Sequence, residues 1–364
     1  MTRYVTDTRK FRDNIALLRK TVGEVPVIGV VKCNGYGAGI VPAARILVEE
    51  GVAMLAVMEL GEAAALRAAG IHAPVLMLTP VVTEEEVRAV TAYQLTACVD
   101  CPQTAALLEK EALRAGVCVP VHIMLDTGFG RFGFLPGQEE AVLQMHAACP
   151  HLHITGCFSH LHDSFAQSDR EVRRQTACFL AMTDRLTAAG LDVGIRHIAS
   201  TAAALRYPYT RLDAVRVGSA FYGLLPLRDI WGFQAVGHLE CTVAAVKWLP
   251  KGHNIGYGDM YRTRRPTRIA VIPVGHFDGW GMAGVRDSFR LRDHLRYIKE
   301  DFRRIGRDNR LFVEIGGCKA PLLGRMTMSN AIADVTDIPC CTGDIVTIHT
   351  SPTGISPAVA RMYI

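Results

Sequence analysis

The sequence lacks any apolar stretch long enough to cross a bilayer. Its longest apolar runs are broken within about ten residues by charge, Gly or Pro, against the roughly 20 that a spanning helix needs. It also lacks a secretory signal, because Met1-Thr-Arg-Tyr-Val-Thr-Asp7 runs straight into a polar helical pattern, with no apolar core or small-residue cleavage site. A cytoplasmic protein with no membrane partner is therefore expected. Charge of one sign is scarce: a net +5 over 364 residues is mild and spread along the chain, so it does not argue for nucleic acid. Cysteine is present but unframed, since 11 residues scattered from Cys33 to Cys341 read as buried thiols of a reduced compartment. Cys98 and Cys101 form a lone C-x-x-C and Cys340-Cys341 are adjacent; neither has a second ligand pair at metal spacing, which speaks against a zinc or redox role. No Gly-rich dinucleotide turn follows the first strand-like run, which counts against an open doubly wound sheet.

What is there suits two packed domains: 364 residues, 49% of them apolar, suffice for a large α/β domain and a smaller one. Between residues 26 and 217, short β-rich runs alternate with helical segments rich in Ala, Leu, Glu and Arg, such as 59–69 and 170–189. The eight runs are 26–31, 52–57, 74–78, 94–98, 119–125, 153–159, 194–198 and 213–217. That is the count of a closed TIM-type (β/α)8 barrel, expected over residues 1–228. Beyond Tyr222-Gly-Leu-Leu-Pro226 the texture changes to strand-like runs at 240–248, 268–274, 311–315 and 344–349, separated by Gly and Pro turns. A C-terminal β-rich domain is expected over 229–364. Within it Leu291, Leu295, Ile298, Phe302 and Ile305 recur at helical spacing, predicting an inserted amphipathic helix near 287–305. A solvated helix packed on its own domain is the simpler reading of it; a partner-binding arm is the other.

A barrel of this kind sets functional groups at the C-terminal ends of its strands and binds phosphate after strands seven and eight. The reactive side chains fall there. Lys32 follows run one, Asp126 and Arg131 follow run five, and His160 follows run six. Ser200 and Thr201 follow run seven, and Arg216 ends run eight beside Gly218 and Ser219. Small hydroxyl and glycine positions let backbone N–H groups approach an anion closely, as a phosphate cup requires. Lys32 ends an apolar strand and precedes Asn34-Gly-Tyr-Gly-Ala-Gly39, a poor placing for a surface charge. A partly desolvated lysine suits Schiff-base chemistry; one snorkelling at a barrel mouth would look the same.

Val30-Val-Lys-Cys-Asn-Gly-Tyr-Gly-Ala-Gly39 resembles the pyridoxal-phosphate lysine motif of bacterial alanine racemases. The similarity continues through His122-Ile-Met-Leu-Asp-Thr-Gly-Phe-Gly-Arg-Phe-Gly133, Phe158-Ser-His160, His197-Ile-Ala-Ser-Thr-Ala-Ala203 and Asp213-Ala-Val-Arg-Val-Gly-Ser-Ala-Phe-Tyr-Gly223. It resumes at Gly256-Tyr-Gly258, Pro273-Val-Gly-His-Phe-Asp-Gly279 and Gly324-Arg-Met-Thr-Met-Ser-Asn330. Nearly the whole chain is covered in order, and the succession is far more specific than any one motif. The resemblance implies a barrel followed by a β domain, in a homodimer whose active sites take residues from both chains. It implies pyridoxal 5'-phosphate as cofactor and a small amino acid, alanine by default, as substrate. By it, Lys32 holds the cofactor and serves one face of the substrate α-carbon, and Tyr257 of the partner subunit serves the other; racemisation requires two bases so placed. Arg216 donates to the pyridine nitrogen, leaving a weaker electron sink that limits side reactions. Tyr36, Thr201, Gly218 and Ser219 hold the phosphate. Arg131 contacts the cofactor phenolic oxygen or the substrate carboxylate, and the Met328 backbone helps bind that carboxylate. His160 joins the cofactor-binding set and, with Arg216, is a candidate to polarise the tyrosine.

Other readings stand beside these. Arg216 also reads as one half of a salt bridge to Asp213 or another barrel carboxylate, and His122 and His197 as satisfied core histidines. His160, His162 and Asp163 form an H-x-H-D run that suits a metal-dependent barrel hydrolase, but apart from His197 later strand ends offer few ligands, so no metal is expected. A racemase for serine or another amino acid, a non-catalytic pyridoxal-phosphate carrier and a decarboxylase complete the set. Departures from the family cluster on the substrate side. Met124 stands where the family commonly has a lysine whose carbamate fixes the arginine matching Arg131, His276 replaces a tyrosine near the substrate approach, and Ser200 replaces an asparagine. Ser329-Asn330 replace Asp-Gln, the run after His349 is abbreviated, and Tyr363 falls too late to be the family's phosphate tyrosine. The span 281–310 is longer than the family loop.

Overall fold

A computed structural model of the chain describes residues 2–225, 230–281, 291–304 and 311–364. They form two compact units, one of Asp7–Val236 and one of Met1–Thr6 with Gly237–Ile364. The expected join between 228 and 229 lies outside the described residues.

The larger unit is the barrel. Numbering along the chain, with Arg3–Thr6 as β1, its strands are β2 (Val27–Val30), β3 (Met54–Val57), β4 (Val75–Pro80), β5 (Thr96–Val99), β6 (Val119–Met124), β7 (Leu152–Phe158), β8 (Ile195–His197) and β9 (Val215–Val217). They pair in the order β8-β7-β6-β5-β4-β3-β2-β9, all parallel. β8 and β9 meet through Asp213 N to Arg196 O at 3.1 Å and Arg216 N to Ala199 O at 3.0 Å, which brings the ring nearly to closure. Each strand overlaps one of the eight runs read from the sequence. β2 and β5 are buried at every residue, the two-sided burial of a parallel wall under helices, and this is why those runs show no alternation. The helix Thr8–Val22 presents Phe11, Ile15, Leu18 and Val22 as one buried stripe, with Asp7 accepting from Lys10 N at its start. Buried Asn14 on that helix donates to Phe221 O at 3.1 Å and Gln234 O at 2.8 Å and accepts from Gln234 N at 2.9 Å. A fully satisfied polar side chain thus ties the helix to the segment leaving β9.

In the smaller unit β1 is an interior strand. It pairs antiparallel with β10 (Gly237–Thr242). The remaining strands are β11 (Ala245–Leu249), β12 (Thr267–Ile272), β13 (Phe312–Ile315), β14 (Cys318–Pro321), β15 (Ala331–Asp334), β16 (Ile345–Ile348) and β17 (Ala360–Tyr363), the last parallel to β1. One sheet has the order β14-β13-β16-β10-β1-β17, the other β11-β12-β15. Tyr4, Leu239, Ile272, Trp280, Val313, Ile315 and Val346 share the core. Two expectations are corrected here. Residues 3–6 are a strand and not the lead-in to a helix, because pairing on both edges decides a segment too short to show a period. The run 240–248 is two strands, broken at Val243-Ala244.

The helix Leu291–Arg304 falls within the expected 287–305, of which 287–290 and 305 lie outside the described residues. Leu291, Leu295, Ile298 and Phe302 are each more than half exposed, so among the described residues this apolar stripe is not packed on its own domain as expected.

Tyr4 is 1% exposed. Its replacement by Ala should cost on the order of 3–5 kcal/mol, read as a lower thermal midpoint for the smaller unit; an unchanged midpoint would show that β1 does not anchor the sheet.

Candidate active site

Lys32 follows β2 on a turn of unusual hand. Cys33 (φ 54°, ψ 49°), Asn34 (54°, 51°) and Gly35 (61°, 48°) are consecutive left-handed residues, and Tyr36 has φ 54°. Such a conformation costs roughly 1–2 kcal/mol at each non-glycine position, so the surroundings must hold it. Asn34 does much of this, its Oδ1 accepting from Ile40 N at 2.9 Å and its N donating to Glu62 Oε1 at 3.1 Å. Gly35 is required twice, by its φ and by the Ile40 backbone 3.2 Å from where a Cβ would stand. The turn brings the Lys32 amine and the Tyr36 phenol to one cavity.

Arg216, on β9, is 5% exposed. Its Nη1 donates to His197 Nδ1 at 2.8 Å and His197 O at 2.7 Å, and its Nη2 donates to Ser159 O at 2.6 Å and stands 3.5 Å from His160 Nδ1. Burial lowers its pKa to about 10, which leaves it a cation at neutral pH. The expected salt bridge to Asp213 is not made: Asp213 pairs with Arg196 Nε at 3.0 Å. A guanidinium only donates, so His197 must present its lone pair at Nδ1 and carry its proton on Nε2. That proton goes to His122 Nδ1 at 2.9 Å, and His122 in turn carries its own on Nε2, a buried atom without a partner among the described residues. Burial, then Arg216 and His122, hold His197 well below the ordinary histidine range. Burial, then Arg216, bring His122 to about 4. Burial, then Arg216, Arg131 and Lys32, bring His160 to about 3. The buried cation is surrounded by neutral imidazoles.

A cradle of small groups lies beside it. Thr201 opens the helix Thr201–Arg206 and its Oγ1 accepts from Gly218 N at 3.3 Å, while Ser219 begins the turn Ser219–Tyr222. The Tyr36 hydroxyl stands where a Cβ on Gly218 would have to be, so close approach dictates the glycine there. The cavity, of about 250 Å³, is lined by Lys32, Tyr36, Arg131, His160, Thr201, Arg216, Gly218 and Ser219, with Met58, Leu78, Met124, Phe158 and Phe165 as apolar wall. The candidates from the barrel therefore converge. The lining holds three cations and no carboxylate, a donor set that fits a phosphate-bearing ring attached at an amine.

Tyr257 and Met328 belong to the smaller unit, and both side chains are exposed. His276 Nδ1 lies 3.2 Å from Trp280 O, and Tyr363 lies on β17 opposite Thr6. His162 bonds Gln175 Oε1 at 2.6 Å through its ring, so it is a strut of the loop after β7. Among the described residues no three His, Cys, Asp or Glu side chains are grouped to hold a metal. The residue that sequence reasoning undervalued is His197. The available signal was that it ends the strand beside the one carrying Arg216.

The family model "Alanine racemase, N-terminal domain" matches residues 6–226, and "Alanine racemase, C-terminal domain" matches 236–360. The chain belongs to the alanine racemase family. Relatives named alanine racemase include that of Methylacidiphilum infernorum, 31% identical over 92% of this chain and 79% of its own. That of Symbiobacterium thermophilum is 32% identical over 94% and 85%. Among solved structures, alanine racemase of Clostridium difficile 630 aligns with TM-score 0.88 at 25% identity, covering 100% of this chain and 95% of that one. The Bacillus anthracis enzyme with bound L-Ala-P aligns with TM-score 0.83 at 27% identity, over 100% and 95%. In this member of the alanine racemase family, Met124 ends β6 with its Sδ 3.9 Å from Cys98 Sγ, an apolar wall to the cavity.

The depressed histidines carry a pH signature. Their folded pKa values lie below the ordinary 6.5, so unfolding takes up protons and stability falls as pH drops from 6.5 towards the 4 of His122. The thermal midpoint should decline through that window, less steeply in His122→Asn. Equal slopes in the two proteins would contradict the neutral, buried assignment.

Proposed function

We propose that this chain interconverts the L- and D-enantiomers of a small amino acid, alanine by default, with pyridoxal 5'-phosphate held at Lys32. The observation that carries the reading is the convergence of Lys32, carboxylate-free Arg216 and the Thr201–Gly218–Ser219 cradle on one cavity at the C-terminal mouth of the barrel. The relatives' printed names favour alanine; serine is the second substrate to test, because His276 and Ser329 alter the approach.

When bound, pyridoxal phosphate supplies an electron-withdrawing ring that stabilises negative charge at the substrate α-carbon. The chain's own residues do the rest. Lys32 Nζ holds the cofactor and moves the α-proton on one face, and Tyr257 of the partner subunit moves it on the other. Arg216 is the group for the ring nitrogen. As a cation it does not protonate that atom, which moderates charge withdrawal, and His197 and His160 orient it without neutralising it. Tyr36, Thr201, Gly218 and Ser219 hold the phosphate, while Arg131 and the Met328 backbone hold the substrate carboxylate.

The barrel, through residue 228, is the cofactor domain in this reading, and the segment from 229 supplies Tyr257 to a second copy in a homodimer. Tyr257 is 72% exposed on its own chain, as a side chain acting in another copy must be. A cytoplasmic setting suits 11 free thiols, and no helix among the described residues is long and apolar enough to cross a membrane.

Chiral chromatography after incubation with cofactor and L-alanine or L-serine should show the D-enantiomer. Amine release would indicate decarboxylation, and no change would leave a carrier. Lys32→Ala should remove both the bound-cofactor absorbance and turnover; retained activity refutes the assignment. An equilibrium between mirror images makes steady-state loss equal in both directions, so Tyr257→Phe is read in D2O. It should spare α-hydrogen exchange from one enantiomer and abolish it from the other, and equal loss would remove Tyr257 from its role. Gly218→Ala should displace Tyr36 and weaken cofactor binding about tenfold or more, roughly 1.4 kcal/mol; unchanged affinity by absorbance titration would contradict the phosphate cradle.

A further inference from the structure

Arg131 stands on a turn whose backbone is fixed throughout. The Asp126 carboxylate accepts from the N–H groups of Gly128 at 2.8 Å, Phe129 at 2.8 Å and Gly130 at 2.9 Å. Phe134 N donates to Met124 O and Asp126 N donates to Phe134 O, each at 2.9 Å, and these bonds close the loop onto the end of β6. Asp126 is thereby occupied by backbone donors. Among the described residues Arg131 makes no ion pair; its guanidinium carbon instead lies 4.7 Å from the Phe129 ring centroid and 5.6 Å from that of Phe132. Phe129 meets His160 edge-on at 5.0 Å, and Phe132 packs against the cluster of Cys98, Met124 and Phe158.

We propose that Phe129 is a positioning residue for Arg131: its ring face aims the guanidinium into the cavity without neutralising it, leaving the whole charge for the carboxylate of the amino-acid substrate. The identity of that anion rests on the proposed racemase reading; the aiming itself rests on geometry. A carboxylate partner would orient Arg131 equally well, but it would compete with the incoming anion and would have to share its donors. An aromatic quadrupole attracts a cation while offering no acceptor to be displaced. The apolar wall of Leu78, Met124 and Phe158 around the same cavity strengthens the attraction of the unshared charge for a ligand.

The test uses the full-length, cofactor-loaded protein and two substitutions at Phe129. Phe129→Leu keeps apolar bulk and removes the ring face; Phe129→Tyr keeps the ring. Phe129 is 36% exposed, so folding should survive both, which matching thermal midpoints verify. Four quantities are compared: KM and kcat for racemisation, the calorimetric affinity for propionate as an amine-free carboxylate, and the ring-current shift of the Arg131 Nε–H resonance. Phe129→Leu should raise KM and weaken propionate binding by about two- to fivefold each, the range of a cation–π contact at a partly exposed site. It should leave kcat within about twofold and move the Nε–H resonance downfield, and Phe129→Tyr should restore all of these. Unchanged propionate affinity and resonance in Phe129→Leu would overturn the proposal, as would a kcat loss without a KM change, or a Tyr variant as impaired as the Leu variant. A wild-type protein that racemises nothing yet binds propionate in a Phe129-dependent way would sink the racemase reading and leave this one standing.

Discussion

A guanidinium buried in a barrel with no carboxylate beside it among the described residues is the constraint around which the rest of this site is arranged. Removing a cation from water is costly unless its donors are satisfied. Arg216 meets that demand with neutral acceptors only: the His197 ring, the His197 carbonyl and the Ser159 carbonyl. The choice propagates. Because Arg216 can only donate, the tautomers of His197 and then of His122 follow, and because these rings lie beside a cation in a dry interior they remain uncharged. A carboxylate in the same place would have stabilised Arg216 more simply, and would have cancelled the field that the cavity presents to an anionic ligand.

The same economy of negative charge recurs across the cavity. Asp213 is drawn off to Arg196 and Asp126 to backbone donors, so the nearby acids are occupied elsewhere. Arg131 is held by rings and Arg216 by an imidazole and two carbonyls. What faces the cavity is cationic or small and polar, at the strand ends where a barrel collects its functional groups. The left-handed turn after β2 belongs to this arrangement, since it carries Lys32 and Tyr36 to the one cavity. Its strain is offset by Asn34, whose side chain and backbone are both tied down.

Much of this was legible beforehand, and the reasons differ by residue. The eight barrel strands could be read because two-sided burial writes short, dense apolar runs between helices. Lys32, Arg131 and Arg216 could be placed because each ends, or closely follows, one of those runs. β1 could not: Arg3–Thr6 is a strand only through β10 and β17, which lie more than 200 residues away along the chain. His197 was read as a core histidine because nothing local distinguishes a ring packed against Phe158 from one that also accepts from an arginine on the next strand. The rings flanking Arg131 were hidden for a related reason, since Phe129 and Phe132 look like ordinary apolar turn residues until the loop closes around Asp126. For the helix Leu291–Arg304, periodicity revealed the element but not whether anything covers its apolar stripe.

The protonation pattern around Arg216 can be read directly by 15N NMR of the histidine rings. The account predicts that His197 is a neutral imidazole with a bare Nδ1 and a protonated Nε2, and that it stays so at pH 5. An imidazolium at that pH, or a proton on Nδ1, would mean that Arg216 is held by something other than the lone pair assigned here.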